Sequence, residues 1–202
     1  SMDKGDKIAV ISKERRAVTS FFQIITENET ADAGTYEWGT TITRSYLPND
    51  NAAFFKESLS LIDWLRQFSK EKEESFVRGF LGKMLFSGEE SLKMSTVLSG
   101  GEKVRCMISR MMLTNANCII LDEPTNHLDL ESITAFNDAM VDWKHIALFS
   151  SHDHAFTHTV ANRIIELTPG GIIDRRMTYD EYLEDTTVQE LRSRMYGDLI
   201  TA

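Results

Sequence analysis

Two adjacent carboxylates, Asp122 and Glu123, directly follow the apolar run Ile119-Ile120-Leu121. Such a run is typical of a buried strand, and it would deliver both acids to the edge of a sheet. There Asp122 can hold Mg²⁺, often through a water, and Glu123 can act as a general base or orient the water that attacks a γ-phosphate. Paired acids at a strand end can also be solvated or cap the next helix, and this alternative stays open.

A second candidate site is the turn Ser99-Gly100-Gly101, which opens a predicted helix. Backbone N–H groups and a hydroxyl at a helix N-terminus bind anions such as phosphate. Ser99 with Glu102 also fits a capping box, in which each side chain satisfies a backbone N–H group of the other residue. Both interpretations of this turn can hold together.

A third candidate is His152, which follows another apolar run in the segment LFSSHDHAF. An imidazole at that position can contact a γ-phosphate. The neighbouring His154 and His158 suggest a metal site, but no cluster of Cys or carboxylate residues in the sequence completes one, so we expect no metal there. Together with the acids and the Ser-Gly-Gly turn, His152 indicates a site for a nucleoside triphosphate.

The elements that must position these residues alternate between strands and helices. Strands are predicted at 7–11, 118–121, 146–150, a hairpin within 35–47 and a terminal hairpin of 163–167 and 171–174, and helices at 18–25, 99–113, 130–141, 153–160, 179–183 and 188–195. This alternation implies an α/β fold with a mainly parallel sheet covered by helices on both sides. Ligands bind such sheets at the carboxyl ends of the strands, where Asp122, Glu123 and His152 fall.

The length of 202 residues suits one domain, with a small helical subdomain at about 55–97, a charged connector at 70–74 and a helical tail at about 185–202. Ser1-Met2 resembles a cloning remnant, so we expect an N-terminally truncated fragment. The net charge of −9 disfavours direct binding to DNA. No apolar run approaches the roughly 20 residues of a membrane span, and no signal peptide is visible. Cys106 and Cys118 are expected to be reduced core thiols of a cytoplasmic protein.

These motifs carry a family resemblance that covers essentially the whole chain. LSGGEK resembles the signature motif of the ATP-binding cassette (ABC) ATPases, IILDEP their Walker B strand with its catalytic glutamate, and SSHD their switch-histidine segment. EPTNHLD resembles the ABC-F branch, whereas transporters usually read EPTSALD. The resemblance implies a P-loop NTPase-like fold, ATP and Mg²⁺ as ligands, and Asp129 in the loop at the interface with a partner ABC domain. The chain most resembles the second nucleotide-binding domain of a two-domain ABC-F protein. Many members of the ABC-F family act on the ribosome.

The phosphate-binding loop departs from the family pattern G-x-x-x-x-G-K-S/T. Ser12 and Ala17 replace the two glycines, Val18 replaces the lysine, and only Thr19, on the Mg²⁺ side, fits. Glycine is needed where backbone approaches phosphate closely. Asn49 stands where the family has a nucleotide-contacting glutamine.

Three charged residues, Lys13, Arg15 and Arg16, could supply substitute charge on a loop of different geometry. We therefore expect an ATP-hydrolysing domain whose own site is impaired and whose Ser-Gly-Gly turn mainly completes the site of the partner domain. One alternative is a pseudo-ATPase that serves as a dimerisation or regulatory module. Another is the ATP-binding subunit of a membrane transporter, which the sequence TNHLD disfavours.

Overall fold

The computed structural model describes residues 1–197 and shows a six-stranded sheet in the order β2-β3-β4-β1-β5-β6. The strands are β1 (Lys7–Ile11), β2 (Arg44–Leu47), β3 (Cys118–Asp122), β4 (Ile146–Ser150), β5 (Arg163–Thr168) and β6 (Gly171–Arg175). The helices are α1 (Arg15–Ile25), α2 (Leu61–Arg66), α3 (Glu74–Lys83), α4 (Gly100–Thr114), α5 (Leu130–Asp142), α6 (His154–Val160), α7 (Tyr179–Glu184) and α8 (Thr186–Gly197). Residues 198–202 of the expected tail lie outside the described residues.

The sheet is parallel from β2 to β5, and only β6 is antiparallel to its neighbour β5. Every residue of β3 and β4 is buried, because helices cover both faces of the centre of the sheet. The expected α/β fold with a mainly parallel, two-sided sheet is confirmed, and so is the terminal hairpin. The carboxyl ends of β3, β4 and β1 meet at one edge.

The hairpin predicted within 35–47 is wrong. Only Arg44–Leu47 forms a strand, and it pairs in parallel with β3. Two aromatic residues of the preceding segment bind the end of α1 instead: the Tyr36 hydroxyl donates to Ile24 O at 2.7 Å, and the Trp38 indole N–H donates to Ile25 O at 2.9 Å. The alternation of side chains reflects packing on a helix end, not strand pairing.

The segment 55–97, predicted as a helical subdomain, contains the helices α2 and α3, which pack against α4. Trp64 is buried between the rings of Phe55 and Phe68, and the subdomain core continues into the main core. The connector before α3 is exposed, and its last acid, Glu74, opens that helix. Within residues 1–197, no helix is long and apolar enough to cross a membrane.

The helices α7 and α8 are held on the sheet by one buried carboxylate, Glu166 of β5. It accepts hydrogen bonds from the hydroxyls of Tyr182 at 2.6 Å and Tyr196 at 2.9 Å, and it pairs with Arg192 at 2.8 Å. A buried charge needs such partners, so Glu166 ties the C-terminal helices to the strand next to β1.

Candidate functional site

Asp122 and Glu123 lie at the end of β3, where both are almost fully buried, with relative exposures of 2% and 6%. Ser150, the last residue of β4, stands opposite Asp122 in the parallel register. Its hydroxyl donates to Asp122 Oδ1 at 3.1 Å and accepts the Glu123 N–H at 3.0 Å. Ser150 thus fixes both acids. The sequence reasoning missed it, although its place at the end of a predicted strand just before His152 was a usable signal.

Thr19 joins this group from the first turns of α1. Its hydroxyl donates to Asp122 Oδ2 at 3.0 Å. Adjacent ligands of an octahedral Mg²⁺ ion, each about 2.1 Å from the metal, lie about 3 Å apart. The two oxygens therefore fit the expected Mg²⁺ ligands.

Glu123 contacts His152 through both of its carboxylate oxygens. His152 Nε2 lies 3.3 Å from Oε1, and the His152 backbone N–H donates to Oε2 at 3.2 Å. Burial raises the pKa of Glu123, and the charges of His152 and Arg15 only partly offset this. The carboxyl group therefore takes up a proton more readily than an ordinary glutamate, which suits a general base.

A cavity of about 290 Å³ opens beside these groups. It lies at the carboxyl ends of the central strands, as expected for a parallel sheet. Its lining is Val10, Ile11, Ser12, Arg15, Val18, Asp122, Glu123, Ser150, Ser151, His152, His154, Thr157 and Tyr179.

The segment that precedes α1 forms a short turn. The helix begins at Arg15, and the Glu14 side chain caps it by accepting the Arg16 N–H at 3.2 Å. The Ser12 hydroxyl donates to Leu167 O at 2.8 Å, which ties the turn to β5. A carboxylate therefore occupies the helix N-terminus that would otherwise attract a phosphate.

Val18 lies within α1, where only 5% of it is exposed. It packs in the core cluster that contains Ile8 and Phe22. A residue at this position with a long charged side chain could extend from the helix toward phosphates, whereas valine contributes only packing.

The turn at Ser99 caps α4, and the predicted capping box is confirmed. Ser99 Oγ accepts the Glu102 N–H at 3.3 Å, and Glu102 Oε2 accepts the Ser99 N–H at 2.8 Å. A Cβ atom on Gly101 would lie 2.4 Å from the His127 carbonyl oxygen, while one on Gly100 would meet the His127 side chain at 3.6 Å. Only glycine at position 101 allows this close approach, so the Ser-Gly-Gly turn and the TNHLD segment pack as one unit.

Two other predicted ligands lie outside the cavity. Asp129 is exposed and caps α5 by accepting the Ser132 N–H at 2.8 Å. Asn49 is exposed, follows β2 and does not line the cavity. The structure therefore brings together Thr19, Asp122, Glu123 and His152, and it leaves Asn49, Asp129 and the Ser99 turn apart from them.

The other two histidines of this segment share one carboxylate. Asp180 of α7 lies 3.1 Å from His154 Nε2 and 3.1 Å from His158 Nδ1. Across residues 1–197, no group of three or more His, Cys, Asp or Glu side chains is arranged to hold a metal ion. Cys106 and Cys118 are both buried free thiols, as predicted for core cysteines.

The fold and the site define the class of the protein. A two-sided parallel sheet with paired acids at the end of β3 and a histidine after β4 is the arrangement of a P-loop-type ATPase domain. The family model described as ABC transporter matches residues 18–126, which is more than half of the chain. The chain belongs to this family.

Relatives match almost all of this chain. It is 55% identical over 199 residues to the uncharacterized ABC transporter ATP-binding protein YkpA of Bacillus subtilis (strain 168), with 98% of this chain and 37% of that protein covered. It is 27% identical over 195 residues to ABC transporter F family member 5 of Arabidopsis thaliana, with 95% and 28% covered. It is also 27% identical over 196 residues to the energy-dependent translational throttle protein EttA of Escherichia coli (strain K12), with 92% and 35% covered.

Solved structures share the fold. The complex of the archaeal ribosomal stalk protein aP1 with the archaeal ribosome recycling factor aABCE1 contains a chain that superposes with a TM-score of 0.71 at 25% identity. The match covers 82% of this chain and 32% of that chain. This chain therefore spans about a third of the length of the proteins that it matches.

Proposed function

We propose that this chain is the second ABC domain of a two-domain ABC-F-type protein that uses ATP in the cytoplasm to act on the ribosome during translation. Relatives named as an ABC-F member and as a translational throttle support the proposal, as does the similarity to a ribosome recycling factor. In this proposal the Ser99-Gly100-Gly101 turn completes the ATP site of the partner domain. The domain's own site handles ATP poorly.

One observation carries this division of roles: two helix N-termini of the domain differ in what occupies them. The N-terminus of α1 is capped by the Glu14 carboxylate. The N-terminus of α4 carries the exposed Ser99 hydroxyl and two glycines, and the charge of its capping carboxylate, Glu102, is paired with Lys93 at 2.7 Å. A negatively charged phosphate is repelled by the first and attracted by the second, because the dipole of a helix and its free N–H groups favour anions.

The proposal also assigns roles in the domain's own cavity. Thr19 and Asp122 would hold Mg²⁺, which neutralises phosphate charge when bound. Glu123 accepts a proton from the attacking water, which its raised pKa favours. His152, which is 71% exposed in its side chain, lies at the rim where a γ-phosphate would arrive. Asp129 faces the partner domain, and Asn49, just after β2, stays a predicted contact of the nucleotide.

The test compares Ser99→Asp with Ser99→Asn in the full-length protein. Both residues are good helix caps, but only aspartate adds a negative charge that repels the partner's triphosphate. We expect Ser99→Asp to lower ATP turnover at least tenfold, Ser99→Asn to change it about twofold or less, and Glu123→Gln to have a small effect. Loss of turnover in Glu123→Gln with normal turnover in Ser99→Asp would overturn the proposal.

The Glu14 cap also favours the second candidate, a pseudo-ATPase that serves as a dimerisation or regulatory module. Such a module predicts that neither Ser99→Asp nor Glu123→Gln alters turnover. It also predicts that Mg-ATP titrated calorimetrically into the full-length protein fills one site per chain, with an affinity that Ser99→Asp leaves unchanged.

A further inference from the structure

Three cations lie near the start of α1, and the structure separates them. The Lys13 ammonium group lies 4.0 Å from the centre of the Tyr196 ring, away from the cavity. Arg15 and Arg16 are both exposed, but Arg16 does not line the cavity. Arg15 lines it together with Asp122 and Glu123.

Arg15 faces buried negative charge without a fixed partner. Its positive charge acts on Glu123 and partly offsets the effect of burial on that carboxyl. Within residues 1–197, Arg15 forms neither a salt bridge nor a side-chain hydrogen bond. A guanidinium group in this position keeps its five donors available, and it matches the geometry of phosphate oxygens.

The Glu14 cap determines what kind of contact a phosphate can make here. Because this carboxylate accepts the Arg16 N–H, the backbone of the turn cannot surround an anion as a glycine-rich loop does. Charge for a phosphate must come from side chains, and the lining residues that can carry a positive charge are Arg15, His152 and His154. The guanidinium group of arginine keeps its charge at every pH at which proteins fold.

We propose that Arg15 is the phosphate-binding residue of this domain's own cavity and that it replaces the lysine lost at Val18. The ligand is the phosphate end of a Mg²⁺-bound nucleoside triphosphate. The inference rests on the proposed function, because it takes the cavity to be a nucleotide site. It adds that the site retains weak binding, which depends on one side chain.

The experiment measures hydrogen exchange of the peptide 12–22 in the full-length protein during titration with Mg-ATP, which reports on this cavity alone. Arg15→Gln removes the charge but keeps a good helix former, Arg15→Lys keeps the charge, and Arg16→Gln is the matched control. We expect Mg-ATP to protect the peptide in the wild type. The Mg-ATP concentration that gives half of the maximal protection should be at least tenfold higher for Arg15→Gln. Arg16→Gln is expected to change it by less than about twofold. Arg15→Lys keeps the charge but loses the planar donor geometry, so its midpoint should lie between those of the wild type and Arg15→Gln.

Two results would overturn the inference. The first is that Arg15→Gln and Arg16→Gln raise the Mg-ATP concentration for half-maximal protection equally, or that neither raises it. The second is a wild-type peptide that Mg-ATP does not protect, which would leave the role of Ser99 intact because that role concerns the partner's site. Circular dichroism of each variant checks that α1 is folded, and a variant that unfolds is replaced by Arg15→Met, which keeps the apolar stem.

Discussion

The hydroxyl of Thr19 donates a 3.0 Å hydrogen bond to Asp122, although 103 residues separate the two in the sequence. The contact joins the first turns of α1 to the end of β3. It brings together the two oxygens that we propose as Mg²⁺ ligands. At the N-terminus of α1, where the proposed phosphate would bind, the Glu14 carboxylate accepts the Arg16 N–H.

We predict that Ser150→Ala destabilises the protein by about 1–3 kcal/mol. The substitution leaves the Glu123 N–H without its acceptor in a buried environment and removes one donor from Asp122. Urea unfolding followed by circular dichroism measures the change. Ser193→Ala, at an exposed position of α8, is the control and should lie within about 0.5 kcal/mol of the wild type. Equal stability of the two variants would show that Ser150 does not support the acids.

We predict that Gly101→Ala lowers the free energy of unfolding by about 1–3 kcal/mol, because its Cβ atom would lie 2.4 Å from the His127 carbonyl oxygen. Gly82→Ala provides the contrast. No atom lies within 4 Å of a Cβ there, and the residue is in α3, so alanine should stabilise by about 0.5–1 kcal/mol. Thermal unfolding of both variants gives the comparison. If Gly101→Ala left the free energy of unfolding unchanged, the TNHLD segment would have to shift to make room for the new methyl group.

Much of the site follows from the sequence because its residues sit at the ends of strongly apolar runs. The runs before Asp122 and His152 predict strands, and parallel strands bring their carboxyl ends to one edge. Only the sheet order decides that Thr19 meets Asp122, and no local pattern encodes that order. The prediction of a hairpin within 35–47 was wrong for a related reason, because Arg44–Leu47 pairs with β3, which lies far along the chain.

The state of the phosphate-binding turn was only half predictable. The missing glycines and the missing lysine are visible in the sequence. The Glu14 cap is not, because the local sequence does not determine at which residue α1 begins. The choice among Lys13, Arg15 and Arg16 likewise depends on where Tyr196 packs. The Glu14 cap is a local contact, whereas the position of Lys13 is set by a residue of the distant helix α8.

We predict that acid destabilises the protein partly through Asp6. Burial raises the pKa of Asp6, but hydrogen bonds from the Asp3 backbone and from Arg176 and Arg163 outweigh burial and lower it. A lowered pKa in the folded state contributes stability that is present above the unfolded value of 3.8 and is lost as pH falls through the folded value. Unfolding free energies measured from pH 7 to pH 2.5 should therefore decline below about pH 4.

The variant Asp6→Asn separates this contribution from the rest. At pH 7 it should be less stable than the wild type by about 3 kcal/mol, because Arg163 then lies buried with one carboxylate partner fewer. Its stability should also fall less steeply below pH 4. Asp32→Asn, at an exposed position, should follow the wild-type curve. Parallel curves for Asp6→Asn and the wild type would contradict the assignment.

We predict that His152→Gln raises the pKa of Glu123 further. Burial already raises this pKa, and the positive charge of His152 partly offsets burial, so removing the imidazole removes part of the offset. Carboxyl ¹³C chemical shifts of Glu123, followed by NMR across the acid range, measure the change directly. His145→Gln, at the opposite end of β4, is the control and should leave the titration in place. An unchanged midpoint in His152→Gln would show that the 3.3 Å contact between the imidazole and the carboxylate carries no charge interaction.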